Sequence, residues 1–286
     1  EPSYDVSGHL NIPLSDSIAL RAVGFYAHEG GYVDNVLGAN LSGTSDNSDV
    51  VEEDWNDYSL YGGRLAARWQ INPQWEASLS LVSQYSKSKG DWLTDPAIGD
   101  YKIVSFFDEH REDEWYQTSA SIKGDLGFAE LSMTASYFDR DVVYEWDNTL
   151  YENWRTAYYG AFLDLYDTDY LGSTTFNDQK QNRWTYEVRL TSQGESRFQW
   201  MAGAFYEDVY DWWEYGAEVP GLTTTPTWTA AQDYAYYYGY DTHYPLAETD
   251  IYYFNPFEKT VRQKAVFGEM TFNLTDKWSV TGGARW

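Results

Sequence analysis

The sequence predicts an all-β chain of antiparallel strands, and three features of its pattern support that prediction. Hydrophobic and polar residues alternate with a period of two in segment after segment. The connections between these segments are alternately short and long. Aromatic residues make up 19% of the chain, whereas Leu, Ala, Gly and Ser dominate average soluble domains. Because a period of two places successive side chains on opposite faces of a sheet, each segment is predicted to be a strand with one apolar and one polar face.

The alternation is clearest around residues 61–81. Tyr61, Leu65 and Trp69 fall on one face, and Arg64 and Arg68 fall on the other. After the tight connection at residues 72–74, the pattern resumes with Trp75, Ala77, Leu79 and Leu81 opposite Glu76, Ser78 and Ser80. It recurs at residues 4–14, 18–26, 116–122, 129–137, 184–190, 198–206, 266–274 and 278–284. The pattern therefore predicts about ten strands in about five hairpins.

The connections distinguish a barrel from a soluble sandwich. Short turns are predicted near Asp16, Pro73, Asp125, Gly194 and Asp276, and they alternate with long polar loops at residues 29–56, 87–113, 147–181 and 215–259. A sandwich does not need this asymmetry, whereas outer-membrane barrels have short periplasmic turns and long extracellular loops. Trp residues beside the turns, at positions 69, 75, 200 and 278, suit a membrane interface. The predicted fold is an antiparallel up-and-down transmembrane β-barrel.

Composition excludes several other classes. The formal net charge of -26 and the pI of about 4.2 repel phosphate backbones, so no nucleic-acid partner is expected. The chain has no cysteine and therefore neither disulfides nor a thiolate metal site. It also has no apolar run of about 18 residues, which excludes a helical span but not a barrel.

Charged residues on the polar faces of the strands are expected to face the lumen. These residues are Arg64, Arg68, Glu187, Arg189, Glu269 and Arg285. In a soluble sandwich they would be exposed without an assigned role. In a wide barrel they would line a hydrated lumen or contact a plug.

Two aromatic runs in predicted loops are the ligand-binding candidates. The first contains Trp212, Trp213 and Tyr215, and the second contains Tyr236, Tyr237 and Tyr238. Stacked rings can hold planar chelates or sugar faces at little entropic cost. The alternative is that these rings pack the extracellular loops against one another.

No resident metal, cofactor or catalytic centre is predicted. The four histidines, His9, His28, His110 and His243, are far apart and form no paired ligand motif. The acidic clusters at residues 46–57 and 164–169 lack the order of a calcium-binding loop. No Walker loop, nucleophile elbow or zincin motif occurs, so we expect the protein not to be an enzyme.

With the strands placed, several segments resemble those of TonB-dependent receptors. They are residues 11–21, 31–35, 61–65 leading to Asn72-Pro73, 186–192, 200–206 and the final hairpin 266–286. Each segment alone is weak evidence, because any barrel strand alternates. The resemblance rests on the order and spacing of the segments over nearly the whole chain. The variable loops do not contribute to it.

The resemblance implies a barrel of about 22 strands with a plug inside the lumen. Residues 1–286 would be a partial barrel domain, with the N-terminal plug and the C-terminal strands outside this chain. The expected location is the outer membrane of a Gram-negative bacterium. The expected partners are outer-membrane lipid, a TonB-type energy-coupling protein acting through the plug, and a small-molecule ligand such as an iron-siderophore complex.

Two other functions remain open from the sequence. A passive outer-membrane porin would share the strand pattern but would have no plug. A soluble carbohydrate-binding β protein would pack its apolar rows together in a dry centre. Cobalamin or an oligosaccharide is also compatible with the receptor hypothesis, and the acidic balance disfavours a strongly anionic ligand unless arginines outweigh it locally.

Overall fold

The computed structural model describes residues 1–41, 43–159, 172–225, 228, 233, 237 and 249–286. Its long strands are β1 (Tyr4–Pro13), β2 (Ile18–Glu29), β4 (Tyr58–Asn72), β5 (Trp75–Lys89), β7 (His110–Asp125), β8 (Ala129–Asp147), β9 (Thr174–Ser192), β10 (Phe198–Glu218), β11 (Ile251–Thr275) and β12 (Trp278–Arg285). Two short strands, β3 (Asp34–Asn35) and β6 (Lys102–Ile103), and the helix α1 (Thr149–Tyr159) lie in the connections.

The ten long strands form one antiparallel sheet in which each pairs with its neighbours in chain order. This confirms the predicted all-β meander, its strand number and its five hairpins. Side chains fix the tight turns locally. The Asn72 side-chain oxygen accepts hydrogen bonds from the backbone N–H groups of Gln74 and Trp75 at 2.9 and 3.0 Å, which closes the β4–β5 hairpin.

The strands are longer than the sequence pattern indicated. Crossing a bilayer takes about 9–11 residues in a tilted strand, yet β10 has 21 residues and β11 has 25. The predicted loop boundary at residue 215 is therefore wrong. Trp212, Trp213 and Tyr215 lie within β10, because that strand is hydrogen-bonded to β9 and β11 on both sides as far as Glu218.

Register aligns the apolar side chains in rows across the sheet. One row runs through Leu79, Ala120, Ala135, Tyr186 and Tyr206 on five successive strands. The large apolar side chains on this face remain open, with Leu79 at 60% and Met270 at 62% exposure. Within the described residues no second layer covers these rows, so they do not form the dry centre that a soluble sandwich needs.

Aromatic residues border the apolar face. On the loop side, ring pairs run from Tyr61–Tyr85 (5.1 Å between centroids) through Tyr137–Trp184 (4.5 Å) to Tyr186–Tyr206 (6.1 Å), and we call these rings with Tyr116 the loop-side aromatic band. Trp69, Trp75, Trp200 and Trp278 lie at the turn side. This is the arrangement expected where a sheet passes through two membrane interfaces.

Beyond the loop-side aromatic band the same face becomes charged. It carries ion pairs between neighbouring strands: Lys87–Glu112 at 2.7 Å, Lys180–Asp141 at 3.2 Å and Arg262–Asp208 at 3.0 Å. Hydrocarbon would not accommodate these charges, so the apolar face is a limited band and the strands continue past it into water. No helix in the described residues is long and apolar enough to cross a membrane.

Residues 30–41 and 43–57 of one loop fold together with residues 90–109 of the next. Strands β3 and β6 pair in parallel, and Val33, Trp55 and Ile103 form a buried cluster beside them. The buried Asn35 side chain donates to the carbonyls of Val50 and Ser105 and accepts from the Ser105 N–H at 2.8 Å. These long loops are therefore an ordered unit with its own small core.

Gly90 is required where this unit meets the end of β5. Its φ of 56° is in the left-handed region, and a Cβ there would lie 2.2 Å from the Trp55 ring. Both the backbone conformation and the close approach of the indole favour glycine at this position.

We expect Gly90→Ala to destabilise the loop unit. The left-handed backbone conformation alone should cost about 1–2 kcal/mol, and displacement of the Trp55 ring should add to this cost. Faster proteolysis and faster amide exchange at Trp55 would report the loss. Gly8→Ala is the matched control, because nothing lies within 4 Å of its added Cβ. Equal protection in the two variants would contradict this account.

Candidate functional site

A pocket of about 240 Å³ opens on the polar face of the sheet. Its lining comes from four adjacent strands and consists of Arg140, Val142, Gln179, Lys180, Gln181, Asp211, Trp212, Trp213, Phe257 and Lys259. Trp213 lies seven residues beyond Tyr206 of the loop-side aromatic band, which is about 23 Å along the strand. The pocket therefore lies outside the apolar band, toward the loops.

Strand register assembles the pocket in two rows. One row, from β8 to β11, is Val142, Gln179, Trp213 and Phe257, and the next is Arg140, Gln181, Asp211 and Lys259. The first row is apolar and aromatic apart from its one amide. The second row carries hydrogen-bonding groups of both charges.

The aromatic row provides a flat surface. The rings of Trp213 and Phe257 stack with centroids 5.5 Å apart and planes 28° apart. The two residues are direct partners in the β10–β11 ladder, so the backbone fixes their separation. A planar ligand or the apolar face of a sugar can lie on such a surface.

The polar row is partly locked in place. Arg140 donates from Nε at 2.8 Å and from Nη2 to the two carboxylate oxygens of Asp113, which holds its guanidinium at the rim. Gln181 donates to Asp211 at 2.5 Å. Within the described part of the chain Lys259 forms no ion pair, so its ammonium is available to a ligand.

The structure divides the first predicted aromatic run between the two faces of β10. Trp213 lines the pocket, and Tyr215 lies two residues further on the same face, where its ring meets Tyr253 edge-on at 5.8 Å. The side chain of Trp212 points to the opposite face by strand alternation. Trp212 therefore borders the pocket with its backbone and not with its ring.

Of the second run, only Tyr237 belongs to the described residues, and it is 79% exposed. Tyr236 and Tyr238 lie outside the described residues. The sequence pattern did not identify Phe257, Asp211, Gln181 and Arg140 as site residues. Phe257, Gln181 and Arg140 lie on three other strands, and only the pairing register could have placed them beside Trp213. Asp211 lies on β10 two residues before Trp213, so strand alternation puts it on the same face.

The six residues predicted to face the lumen lie on the same face as the pocket, nearer the turns. Arg64 donates to Ser80 at 3.2 Å and Arg68 pairs with Glu76 at 2.5 Å. A second group on β9, β11 and β12 surrounds Phe267, whose ring centroid is 5.8 Å from the Arg189 guanidinium and 5.7 Å from that of Arg285. In this group Arg189 also donates to Glu187 at 2.7 Å, and Glu269 lies on β11 two residues from Phe267. That this face borders a lumen remains a prediction.

A buried acidic pair joins the loop unit to the end of β8. Glu109 accepts a hydrogen bond from the Asp147 backbone N–H at 3.1 Å, and the Ser105 hydroxyl lies 3.2 Å from both carboxylates. The Phe106 N–H donates to Asp147. Burial raises the pKa of Glu109 to about 7, and the nearby negative charges of Asp147 and Asp91 contribute to the rise. Docking of the loops should therefore depend on pH near neutrality.

We expect the loop unit to dock more firmly at pH 5.5 than at pH 8. Between about pH 4.5 and 7 the folded state holds a proton that the unfolded chain has released, so stability falls as pH rises through this window. The full effect is of the order of 3 kcal/mol. Amide exchange at Phe106, corrected for its intrinsic pH dependence, measures it. Glu109→Gln should remove the part of the dependence near neutrality, while burial, which also raises the pKa of Asp147, leaves a remainder at lower pH. An unchanged pH profile in that variant would refute the assignment.

No family model matches the sequence, and no curated protein matches it. Solved structures do resemble the fold. The ferric yersiniabactin uptake receptor FyuA from Yersinia pestis aligns with a TM-score of 0.68 at 12% identity, over 99% of this chain and 36% of that one. A mutant of the ferric enterobactin receptor PfeA from Pseudomonas aeruginosa aligns with a TM-score of 0.55 at 12% identity, over 99% of this chain and 36% of that one. The RagAB peptide importer aligns with a TM-score of 0.53 at 8% identity, over 99% of this chain and 31% of that one.

The chain thus spans about a third of the length of these structures. At such low identity the likeness establishes the fold. The sheet is an antiparallel up-and-down transmembrane β-barrel wall of the kind found in outer-membrane receptors, with ten strands of a larger barrel.

Proposed function

We propose that this chain belongs to an outer-membrane receptor of a Gram-negative bacterium that takes up a scarce nutrient by energy-coupled transport, with a ferric siderophore as the favoured ligand. The main support for this proposal is the position of the aromatic and charged pocket. It lies beyond the apolar band, toward the loops, on the face that also bears the charged residues. A ligand arriving from outside would meet this surface before it reached the level of the membrane.

The chemistry of the pocket suits a planar, partly anionic chelate. The Trp213–Phe257 surface would stack against an aromatic or conjugated ligand group. Lys259 would offset negative charge, which matters in a chain of net charge -26, and Arg140, whose charge is paired with Asp113, would add hydrogen-bond donors at the rim. FyuA and PfeA are named for ferric siderophores, and RagAB for peptides, so the fold itself does not choose the ligand.

The remaining surfaces fit the same proposal. The apolar face would contact outer-membrane lipid. Arg64, Arg68, Glu187, Arg189, Glu269 and Arg285 would face the lumen and contact a plug. A TonB-type partner would act through that plug, since release of a tightly bound ligand requires energy from outside this barrel wall.

Energy dependence separates this proposal from a passive porin. The full-length protein would be produced in a host that lacks other siderophore receptors, and accumulation of radioactive iron would be followed with a panel of ferric siderophores. We expect uptake of at least one complex, and we expect deletion of the host energy-coupling protein to abolish it. Uptake that persists after the deletion would support a passive pore. If no complex is taken up, the siderophore assignment is refuted. Peptides, cobalamin and oligosaccharides would then be tested as ligands.

Trp213 and Trp212 provide a matched pair of variants. Trp213→Ala removes half of the stacking surface, so we expect affinity for the transported complex to fall about tenfold, in line with a loss of one stacking contact. Trp212→Ala changes a side chain of the same type on the opposite face and should have less than about a twofold effect. Titration of the purified protein with the complex measures both, and equal losses would contradict the pocket.

A further inference from the structure

A second concave site lies on the apolar face. A groove of about 650 Å³ runs across five strands, from β5 through β7, β8 and β9 to β10. Its floor follows one cross-strand row: Ser78, Ser121, Thr134, Glu187 and Phe205. By strand alternation these side chains point to the other face, so the floor of the groove is their backbone.

The walls are the rows on either side of this floor. The loop-side wall consists of Leu79, Ala120, Ala135, Tyr186 and Tyr206, and the turn-side wall of Ala77, Ile122, Met133, Val188 and Ala204. Four of these ten residues are alanine. Their short side chains leave the space, and the larger neighbours make the groove apolar along its whole length.

The dimensions of the groove match one lipid tail. Five strands at the usual spacing span about 19 Å. Strands in membrane barrels tilt by about 35–45°, so a groove perpendicular to them covers about 12 Å of depth, close to one leaflet of hydrocarbon. The groove lies just below the loop-side aromatic band, because Tyr186 and Tyr206 belong to both.

The β10 end of the groove meets a cation. The Lys264 ammonium lies 5.8 Å from the centroid of the Tyr206 ring, and Lys264 is the ladder partner of Tyr206. Within the described residues Lys264 forms no ion pair, whereas Arg262 two residues away is paired with Asp208. An anionic group placed here would therefore find one uncompensated positive charge at the edge of the hydrocarbon.

A second groove of about 420 Å³ lies one row nearer the loops and shares Leu79 with the first. Its walls are Leu20, Ala67 and Leu79 on one side and Ala22, Leu65 and Leu81 on the other. The two grooves lie side by side only on β5 and β7, so the second groove is at the end of the first that is away from Lys264.

We infer that this face holds one anionic lipid as a bound ligand, with an acyl chain in the large groove and the phosphate beside Lys264. The inference rests on the proposed function only in requiring that the apolar face meets a membrane. It does not depend on the transported nutrient.

The test uses the full-length protein extracted from the outer membrane, after the location of the protein there has been verified. Failure to reach the outer membrane would count against the proposed function itself. The purified protein is delipidated and incubated with dimyristoyl phosphatidylglycerol or dimyristoyl phosphatidylcholine, which share tails and differ in headgroup charge. Native mass spectrometry then counts retained lipids. We expect one retained phosphatidylglycerol, favoured over phosphatidylcholine by about fivefold, the effect of one lysine beside an anionic lipid.

Variants separate the tail site from the headgroup site. Ala135→Phe fills the groove and should abolish retention of both lipids, with Ala120→Leu as a milder version if the first folds poorly. Lys264→Gln should keep retention and lose the preference for the anionic headgroup. Ala284→Phe, on the same face but outside the groove, is the control for added bulk.

Retention by Ala135→Phe and Ala120→Leu at the level of Ala284→Phe would overturn the tail site. An unchanged headgroup preference in Lys264→Gln would overturn the phosphate site. If wild type is instead a dimer that Ala135→Phe dissociates, the face is a contact between copies and the lipid assignment is wrong. Nutrient uptake is measured separately, so loss of uptake with normal lipid retention would refute only the transport proposal.

Discussion

Backbone hydrogen bonding is the constraint on which the rest of this structure depends. Each inner strand pairs on both sides, so its polar backbone is satisfied within the sheet over the whole width of the apolar band. With the backbone satisfied, the two faces are free to meet different surroundings. Alternation then allows Leu65 to be exposed on one face while Arg64 lies on the other, without either residue needing a packed core.

The same ladders carry the sheet beyond the apolar band, and this extension makes the pocket. Since β8 to β11 continue in register past the loop-side aromatic band, Trp213 and Phe257 are held face to face by paired backbones rather than by a loop. A binding surface on paired strands loses less entropy on ligand binding than one on a mobile segment. The loops add a second, separate contact with the sheet, in which the buried Glu109 and Asp147 join the loop unit to β8.

The apolar face is also more than a uniform hydrophobic surface. Alanines in register leave a groove that crosses strands, and Lys264 at its end provides a charge at the aromatic border. The pocket and the groove lie on opposite faces of the same strands, and both follow from register. They lie at different levels of the sheet: the pocket is beyond the loop-side aromatic band, and the floor of the groove is the row through Thr134, Glu187 and Phe205.

The sequence by itself determined the strands, the five tight turns and the two faces, because period-two alternation and turn residues such as Asn72 act locally. It also placed Arg64, Arg68, Glu187, Arg189, Glu269 and Arg285 together on the polar face. Local pattern did not show where β10 ends, so Trp213 was assigned to a loop, and it did not separate Trp212 from Trp213. Only the tertiary structure brought Phe257, Gln181 and Arg140 to Trp213, because register between strands far apart in sequence is set by the whole ladder and not by any one segment.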